Sequence, residues 1–193
     1  MPFHPVDIPV PEQLRTEAFV LRPLRAADNA LDYEAVMATQ ERLRRNSEGE
    51  WPRPGFTPAE NRTDLERHEA EFKAGREFTY TVLDPTGTRC LGCVYVYPLT
   101  TALRRLGAEE ELAAVGESEA ATWFWTRPDG VSPDLERQLL AALIPWLRGD
   151  FTFSRVCFRT WAIDARQVGL LREAGLREVW SHPEGRTIAL LFA

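Results

Sequence analysis

Four groupings of side chains in this sequence have the types and spacing to do chemistry. Cys90 and Cys93 form a Cys-x-x-Cys pair, and His68 lies among Glu66, Glu69 and Glu71. Tyr95 and Tyr97 alternate along one apolar run, and Trp51 stands in the Gly- and Pro-rich stretch from Asn46 to Phe56. Two thiols at that spacing act as a redox pair at a helix N-terminus, or as half a zinc site where a second ligand pair exists. Neither condition is met, because Arg89-Cys-Leu-Gly-Cys-Val-Tyr-Val-Tyr97 reads as a strand. A spacing of three on a strand sends side chains to opposite faces. His4 and His182 show no ligand spacing with His68, so the expectation is core cysteine and no metal. His68 can exchange protons near neutrality, yet on a charged helix it also reads as a solvated surface residue. Tyr95 and Tyr97 share a face as core or pocket lining, and Trp51 either anchors its loop or lines a pocket. Asn61-Arg-Thr63 is a glycosylation sequon without meaning in a cytosolic protein.

The elements that must position these groups can be read along the chain. Ala18-Phe-Val-Leu-Arg-Pro-Leu24 predicts a first strand leading into a helix over Asp28 to Arg45, with Tyr33, Val36, Met37 and Leu43 along one stripe. Thr57-Pro-Ala-Glu60 combines a capping box with proline at the first helical position, so a helix follows to about Ala74, anchored by Leu65, Ala70 and Phe72. Phe78 to Val82 alternates, Asp84-Pro-Thr-Gly87 turns, and Arg89 to Pro98 returns as the central strand. Leu99 to Ser118 is a long connection with room for a short helix. Ala121 to Thr126 is an aromatic strand, and Ser132-Pro133-Asp134 opens a helix apolar around most of its circumference, with Pro145 expected to kink it or weaken its last turn. Arg155 to Trp161 is a strand. Asp164 and Gln167 are spaced as a capping box for a helix ending at Gly175, and Trp180 with Thr187 to Phe192 suggests a closing strand pair around a turn at His182-Pro-Glu-Gly185.

This order resembles the GCN5-related N-acetyltransferase (GNAT) superfamily over roughly residues 15 to 193. The clearest local match is Asp164-Ala-Arg-Gln-Val-Gly-Leu-Leu-Arg-Glu-Ala-Gly-Leu176, where the family pattern has Asn, an apolar position, a Tyr beside it, and Gly-Phe. The resemblance implies an α+β fold, with a twisted, mostly antiparallel sheet of six to seven strands flanked by about four helices. It implies one domain over residues 1–193, with 1–14 as an N-terminal extension. Two positions depart from the family. Its Arg/Gln-x-x-Gly-x-Gly/Ala loop, which offers backbone N–H groups to the cofactor pyrophosphate, corresponds to Val131-Ser-Pro-Asp-Leu-Glu136, with a proline, two carboxylates and no glycine. The tyrosine that often protonates the departing thiolate is Leu171.

By the same resemblance, acetyl-CoA is the co-substrate, held by Phe124, Trp125, Thr126, Arg127, Ser132, Asp134, Leu135, Asp164 and Gln167. An acceptor amine would meet Arg44, Glu48, Trp51 and Tyr95. Acetyl transfer by direct attack needs a base to neutralise the amine, a donor to the thioester carbonyl and an acid for the thiolate. His68, Glu48 or Glu119 is available as base and Tyr97 as acid. The alternative is a non-catalytic descendant of the fold that binds a ligand or a protein.

Composition bounds the rest. The chain has 193 residues, a net charge of −6, 44% hydrophobic and 27% charged residues, a globular balance. The acidity argues against nucleic acid or anionic membrane as partner and accords with a small-molecule or peptide amine. No run approaches a membrane span, Met1 to Pro11 has no signal-peptide pattern, and three cysteines suit a reducing compartment, so a cytoplasmic protein is expected. Trp51 and Trp180, if exposed, would suit a homodimer face.

Overall fold

The computed structural model describes residues 3–5, 7–184 and 187–193. Its strands are β1 (Leu14–Arg15), β2 (Val20–Pro23), β3 (Phe78–Leu83), β4 (Cys90–Pro98), β5 (Glu119–Thr126), β6 (Arg155–Trp161), β7 (Glu178–Glu184) and β8 (Thr187–Phe192). Its helices are α1 (Asn29–Asn46), α2 (Pro58–Lys73), α3 (Leu99–Arg105), α4 (Leu135–Gly149) and α5 (Ala165–Glu173). The strands form one sheet in the order β1-β2-β3-β4-β5-β6-β8-β7. Every neighbouring pair is antiparallel except β5 with β6. Eight strands replace the expected six to seven because Leu14–Arg15, too short to leave a pattern, pairs with β2. The fifth helix, α3, lies in the long connection after β4, with a 3-10 stretch over Glu109–Ala114 beyond it.

Local chemistry explains the helix starts. Thr57 accepts from the Glu60 N–H while the Glu60 carboxylate accepts from Thr57, the expected capping box. Asp164 accepts from the Gln167 N–H at 3.3 Å, but the Gln167 side chain does not reach back; it is used elsewhere. Helix α4 begins later than its sequence suggests. Ser132 Oγ accepts from the Asp134 N–H, and the Ser132 carbonyl accepts from the Leu135 N–H, so Ser132-Pro-Asp134 is a turn ahead of the helix. Pro145 does not end α4, which runs on to Gly149. Ala70 is exposed, leaving Leu65 and Phe72 as the anchors of α2. Strand β7 extends through His182 to Glu184, with Pro183 opposite Ile188. The expected turn is therefore not at His182 or Pro183, and Gly185 lies outside the described residues.

The sheet separates two apolar layers. Val94, Val96, Phe124 and Phe158 pack with Leu139, Leu140, Leu143 and Leu171 from α4 and α5. Cys93 and Trp125, with Tyr95 and Trp123, pack against Ala35, Val36 and Leu43 of α1. One irregularity alters the sequence reading. Val82 pairs with Gly92 and Leu83 with Cys90, so Leu91 is an extra residue in β4. A bulge of this kind resets strand alternation. Cys90 and Cys93 therefore lie on the same face, in the same cluster beneath α1, rather than on opposite faces. The position after the bulge must be glycine, since a Cβ on Gly92 would stand 2.0 Å from the Trp125 carbonyl oxygen.

Candidate functional site

The parallel pair β5 and β6 stays in register only from Glu119↔Arg155 to Thr122↔Phe158. Beyond that point β5 continues to Thr126 beside β4, and β6 continues to Trp161 beside β8. The sheet thus opens as a wedge along Trp123–Thr126 and Arg159–Trp161. On the α1 and α2 side of this wedge lies a cavity of about 600 Å³. Tyr95, Trp123 and Trp161 form its aromatic floor, with Tyr95 and Trp123 stacked at 5.0 Å and Trp161 edge-on to Trp123 at 5.2 Å. The loop after α1 supplies a wall through Ser47, Glu48, Glu50 and Trp51; Asp32, Asn61, Asp64, Arg67, His68 and Arg159 complete the polar lining.

Each expected acceptor-side residue can now be placed. Trp51 both lines the cavity and anchors the loop, edge-on to Phe56 at 6.2 Å. Ser47 Oγ accepts from the Trp51 N–H at 2.9 Å and closes the turn. Glu48, at a φ of 55°, lines the cavity. Arg44 does not; its guanidinium donates to the Pro52 and Arg53 carbonyls and fastens the loop from behind. Tyr95 is in the floor, where its Oη accepts from Trp125 Nε1 at 3.3 Å and burial holds the phenol well above its usual pKa. Tyr97 lies deeper, opposite Ala121 where β5 and β6 are still paired, under the Arg105 guanidinium. Glu119 is at the far end of β5, fixed by Nε and Nη2 of Arg155 and by the Gly116 N–H, and lines neither the aromatic cavity nor the arginine-rich groove.

His68 is a wall residue, not a solvated one. Arg67 Nη2 lies 3.2 Å from Nε2, and because guanidinium only donates, Nε2 must be the acceptor. Nδ1 then carries the proton toward Thr79 Oγ1 at 2.9 Å. Burial, reinforced by the positive charges of Arg67 and Arg105, lowers the imidazole pKa to about 4. The ring is neutral at physiological pH and its free lone pair is already engaged.

A second groove of about 660 Å³ lies along the C-terminal half of α1, between that helix, the Thr126–Pro133 segment and the start of α4. Four arginines (Arg42, Arg45, Arg127 and Arg166) face three carboxylates (Glu41, Glu136 and Asp164) there. Arg42 spans the groove, donating from Nε to Asp164 Oδ2 at 2.8 Å and from Nη2 to Glu136 Oε1 at 2.7 Å. Arg166 takes the other Glu136 oxygen at 3.0 Å, and Asn46 donates to Asp164 at 3.1 Å. Burial pushes the Asp164 carboxyl up, but Arg42, Asn46 and the Gln167 N–H outweigh it and hold the pKa below the usual range. Asn46 also lines the aromatic cavity, so the two cavities, which share no lining residue, meet at the Asn46–Asp164 hydrogen bond.

The cofactor-side residues divide in the same way. The wedge leaves the Phe124 carbonyl without a β6 partner, and buried Gln167 fills it: Nε2 donates to Phe124 O at 2.9 Å while Oε1 accepts from Thr160 Oγ1 at 2.7 Å. Arg127 is buried and committed to Asp129, Glu34 and the Cys90 carbonyl. Trp125 and Leu135 are core, Thr126 and Ser132 line the groove, and Asp134 sits at the α4 start without a side-chain cap bond. Sequence reasoning missed Arg42, Asn46 and Arg166. Their partners are distant in sequence, 122 residues apart for Arg42 and Asp164, so no local pattern marks them.

No family model and no curated protein sequence matches the chain. Solved structures do. A ribosomal L7/L12 α-N-protein acetyltransferase in complex with coenzyme A superposes with a TM-score of 0.71 at 12% identity, covering 94% of this chain and 97% of that one. The ribosomal-protein-S5-alanine acetyltransferase of Vibrio fischeri gives 0.69 at 12% identity over 94% and 95%. A GNAT-family acetyltransferase of Bacillus anthracis gives 0.67 at 10% identity over 93% and 96%. At such identities the likeness is one of fold, and the fold is that of the GNAT acetyltransferases.

Proposed function

We propose that this protein is an acyl-CoA-dependent N-acyltransferase that moves an acetyl group to a primary amine bound over the aromatic floor. The observation that carries the reading is the wedge between β5 and β6, with an aromatic, carboxylate-rimmed cavity on its α1 and α2 side and an arginine-rich groove beside a helix start along the C-terminal half of α1. The neighbours named above include a ribosomal L7/L12 acetyltransferase in complex with coenzyme A and a ribosomal-protein-S5-alanine acetyltransferase, which favours a protein or peptide amine as acceptor.

In this reading the amine enters past Trp51, and Glu48 takes its proton directly or through water. His68 positions rather than abstracts, since a group of pKa about 4 with its lone pair on Arg67 is a poor base near neutrality. Nitrogen attacks the thioester carbon where the wedge begins, beside Trp123. The departing thiolate then lies nearer Tyr95, the register partner of Trp123, than Tyr97, which sits two pairs back at Ala121. Tyr95, protonated at physiological pH, is therefore the donor to sulfur in place of Tyr97. When bound, acetyl-CoA supplies the acyl group and the thiolate; the chain orients both partners and keeps water out.

A second reading is favoured by one observation. Gln167 occupies the strand carbonyl and the Arg42–Glu136–Asp164 network closes the passage between the two cavities. In a ligand-binding module descended from the fold, that closure is permanent. The two readings part in an assay of thiol release from acetyl-CoA with a panel of amines, run beside tryptophan fluorescence. Amine-dependent thiol release, abolished by Glu48→Gln, supports the acyltransferase. Saturable quenching by an amine with no thiol release at any cofactor concentration overturns it and leaves the binding module.

A further inference from the structure

The bulge in β4 brings together three groups that the reaction above does not use. Asp32 of α1, Cys90 and Cys93 each direct one ligating atom into a single buried cluster, with all three atoms within 4.8 Å of one another. Cys93 Sγ is 3.3 Å from Asp32 Oδ1. A tetrahedral zinc with sulfur at about 2.3 Å and oxygen at about 2.0 Å sets those ligands about 3.5 Å apart, and two sulfurs about 3.8 Å apart. The surroundings suit a bound ion as well. Asn61 Nδ2 donates to Asp32 Oδ2 at 2.9 Å, which engages the second carboxylate oxygen and leaves Oδ1 toward the thiols. Thr81 Oγ1 lies 3.5 Å from Cys90 Sγ, placed to donate to a thiolate. Hydrogen bonds of this outer kind orient ligands and raise metal affinity.

We propose that Asp32, Cys90 and Cys93 form a binding site for a thiophilic divalent cation, with zinc the ion whose ligand preferences the set meets. Two thiolates and a carboxylate supply three of four tetrahedral positions. Asp32 borders the aromatic cavity while both cysteines are buried beneath it, so the fourth position is left for a water reaching the cluster past Asp32. Binding displaces the thiol protons to solvent, so the balance needs no oxidant. Gly92 is what makes the cluster possible, because the bulge it permits reverses the strand alternation that would have parted the two cysteines.

The test uses the intact chain, stripped with a chelator under reducing conditions and titrated with cobalt(II), then with zinc. The expected result is one cobalt per chain with thiolate-to-metal charge-transfer absorption, displaced by one zinc. Cys157, buried in a different cluster, serves as the control, and Cys157→Ser keeps the band. Cys90→Ser with Cys93→Ser loses it, and Asn61→Ala weakens binding by about tenfold. The wild-type spectrum decides the matter even where a variant fails to fold. Absence of a charge-transfer band, uptake below one equivalent, or a band that survives in a folded double variant overturns the proposal.

Discussion

Replacing Arg42 with methionine tests whether the charge network between the two cavities is as closely coupled as its geometry implies. The Arg42 side chain is 19% exposed, while those of Glu136 and Asp164 are 1% and 2% exposed. Methionine keeps most of the packing and removes the charge. Stripping one partner from a buried pair commonly costs 3–5 kcal/mol, because the remaining charge stays desolvated. Here Arg166 still holds Glu136, and Asn46 with the Gln167 N–H still holds Asp164, so the low end applies, about 3 kcal/mol at pH 7. For a domain of this size that is a fall in Tm of about 6–12 °C. The pH dependence has a definite sign. In the wild type the Asp164 pKa is lowered, so its contribution is present above the unfolded value near 4 and lost as pH falls through the lower folded one. In the variant, burial acts without Arg42, Asp164 protonates more readily, and the deficit shrinks on acidification from pH 7 toward about 5. Urea unfolding at several pH values measures this. A variant within about 0.5 kcal/mol of wild type at pH 7, or a deficit that does not change with pH, would refute the reasoning.

Gly92→Ala forces a Cβ to 2.0 Å from the Trp125 carbonyl and should cost 3 kcal/mol or more, roughly the upper end for overpacking, seen as a lower urea midpoint. An unchanged midpoint would show that the β4–β5 contact relaxes. Gln167→Ala leaves the Phe124 carbonyl and Thr160 hydroxyl buried without their partner, at about 1–3 kcal/mol per group. Under the acyltransferase reading acetyl-CoA then raises the variant's Tm more than that of wild type, because the pantetheine meets a vacant carbonyl; an equal rise counts against it. For His68, a folded pKa of about 4 means the unfolded chain binds more protons between pH 6.5 and 4, so this residue lowers stability as pH falls through that window. Its imidazole resonances should titrate near pH 4 by NMR, and a midpoint near 6.5 would contradict the buried, Arg67-facing placement.

The order of elements along the chain and most helix limits were legible because they rest on local signals: the Thr57 capping box, the alternation in β3, the Asp84–Gly87 turn, and the stop at Gly175, which has a φ of 83°. The site was legible only in outline. The residues alone left Tyr95 as core or pocket lining and Trp51 as loop anchor or pocket lining, and only the family resemblance put both beside an acceptor. Arg44, by contrast, turns its charge onto the Pro52 carbonyl, and Glu119 is fixed by Arg155 across a strand pair; no sequence spacing reports either partner. The cysteines show the sharpest failure. Two-residue periodicity is sound only while the register holds, and one extra residue at Leu91 reverses it.

The central claim is that the arginine-rich groove still accepts the cofactor despite its internal network. Calorimetric titration of the purified chain with acetyl-CoA tests this most directly, with a shortened pantetheine fragment as control. The account predicts saturable, one-to-one binding that weakens in Arg166→Glu and is not reproduced by the fragment, since the pyrophosphate is what the arginines hold. No heat at millimolar acetyl-CoA would contradict it, and the groove would then be a closed structural seam in a protein that binds its ligand over the aromatic floor alone.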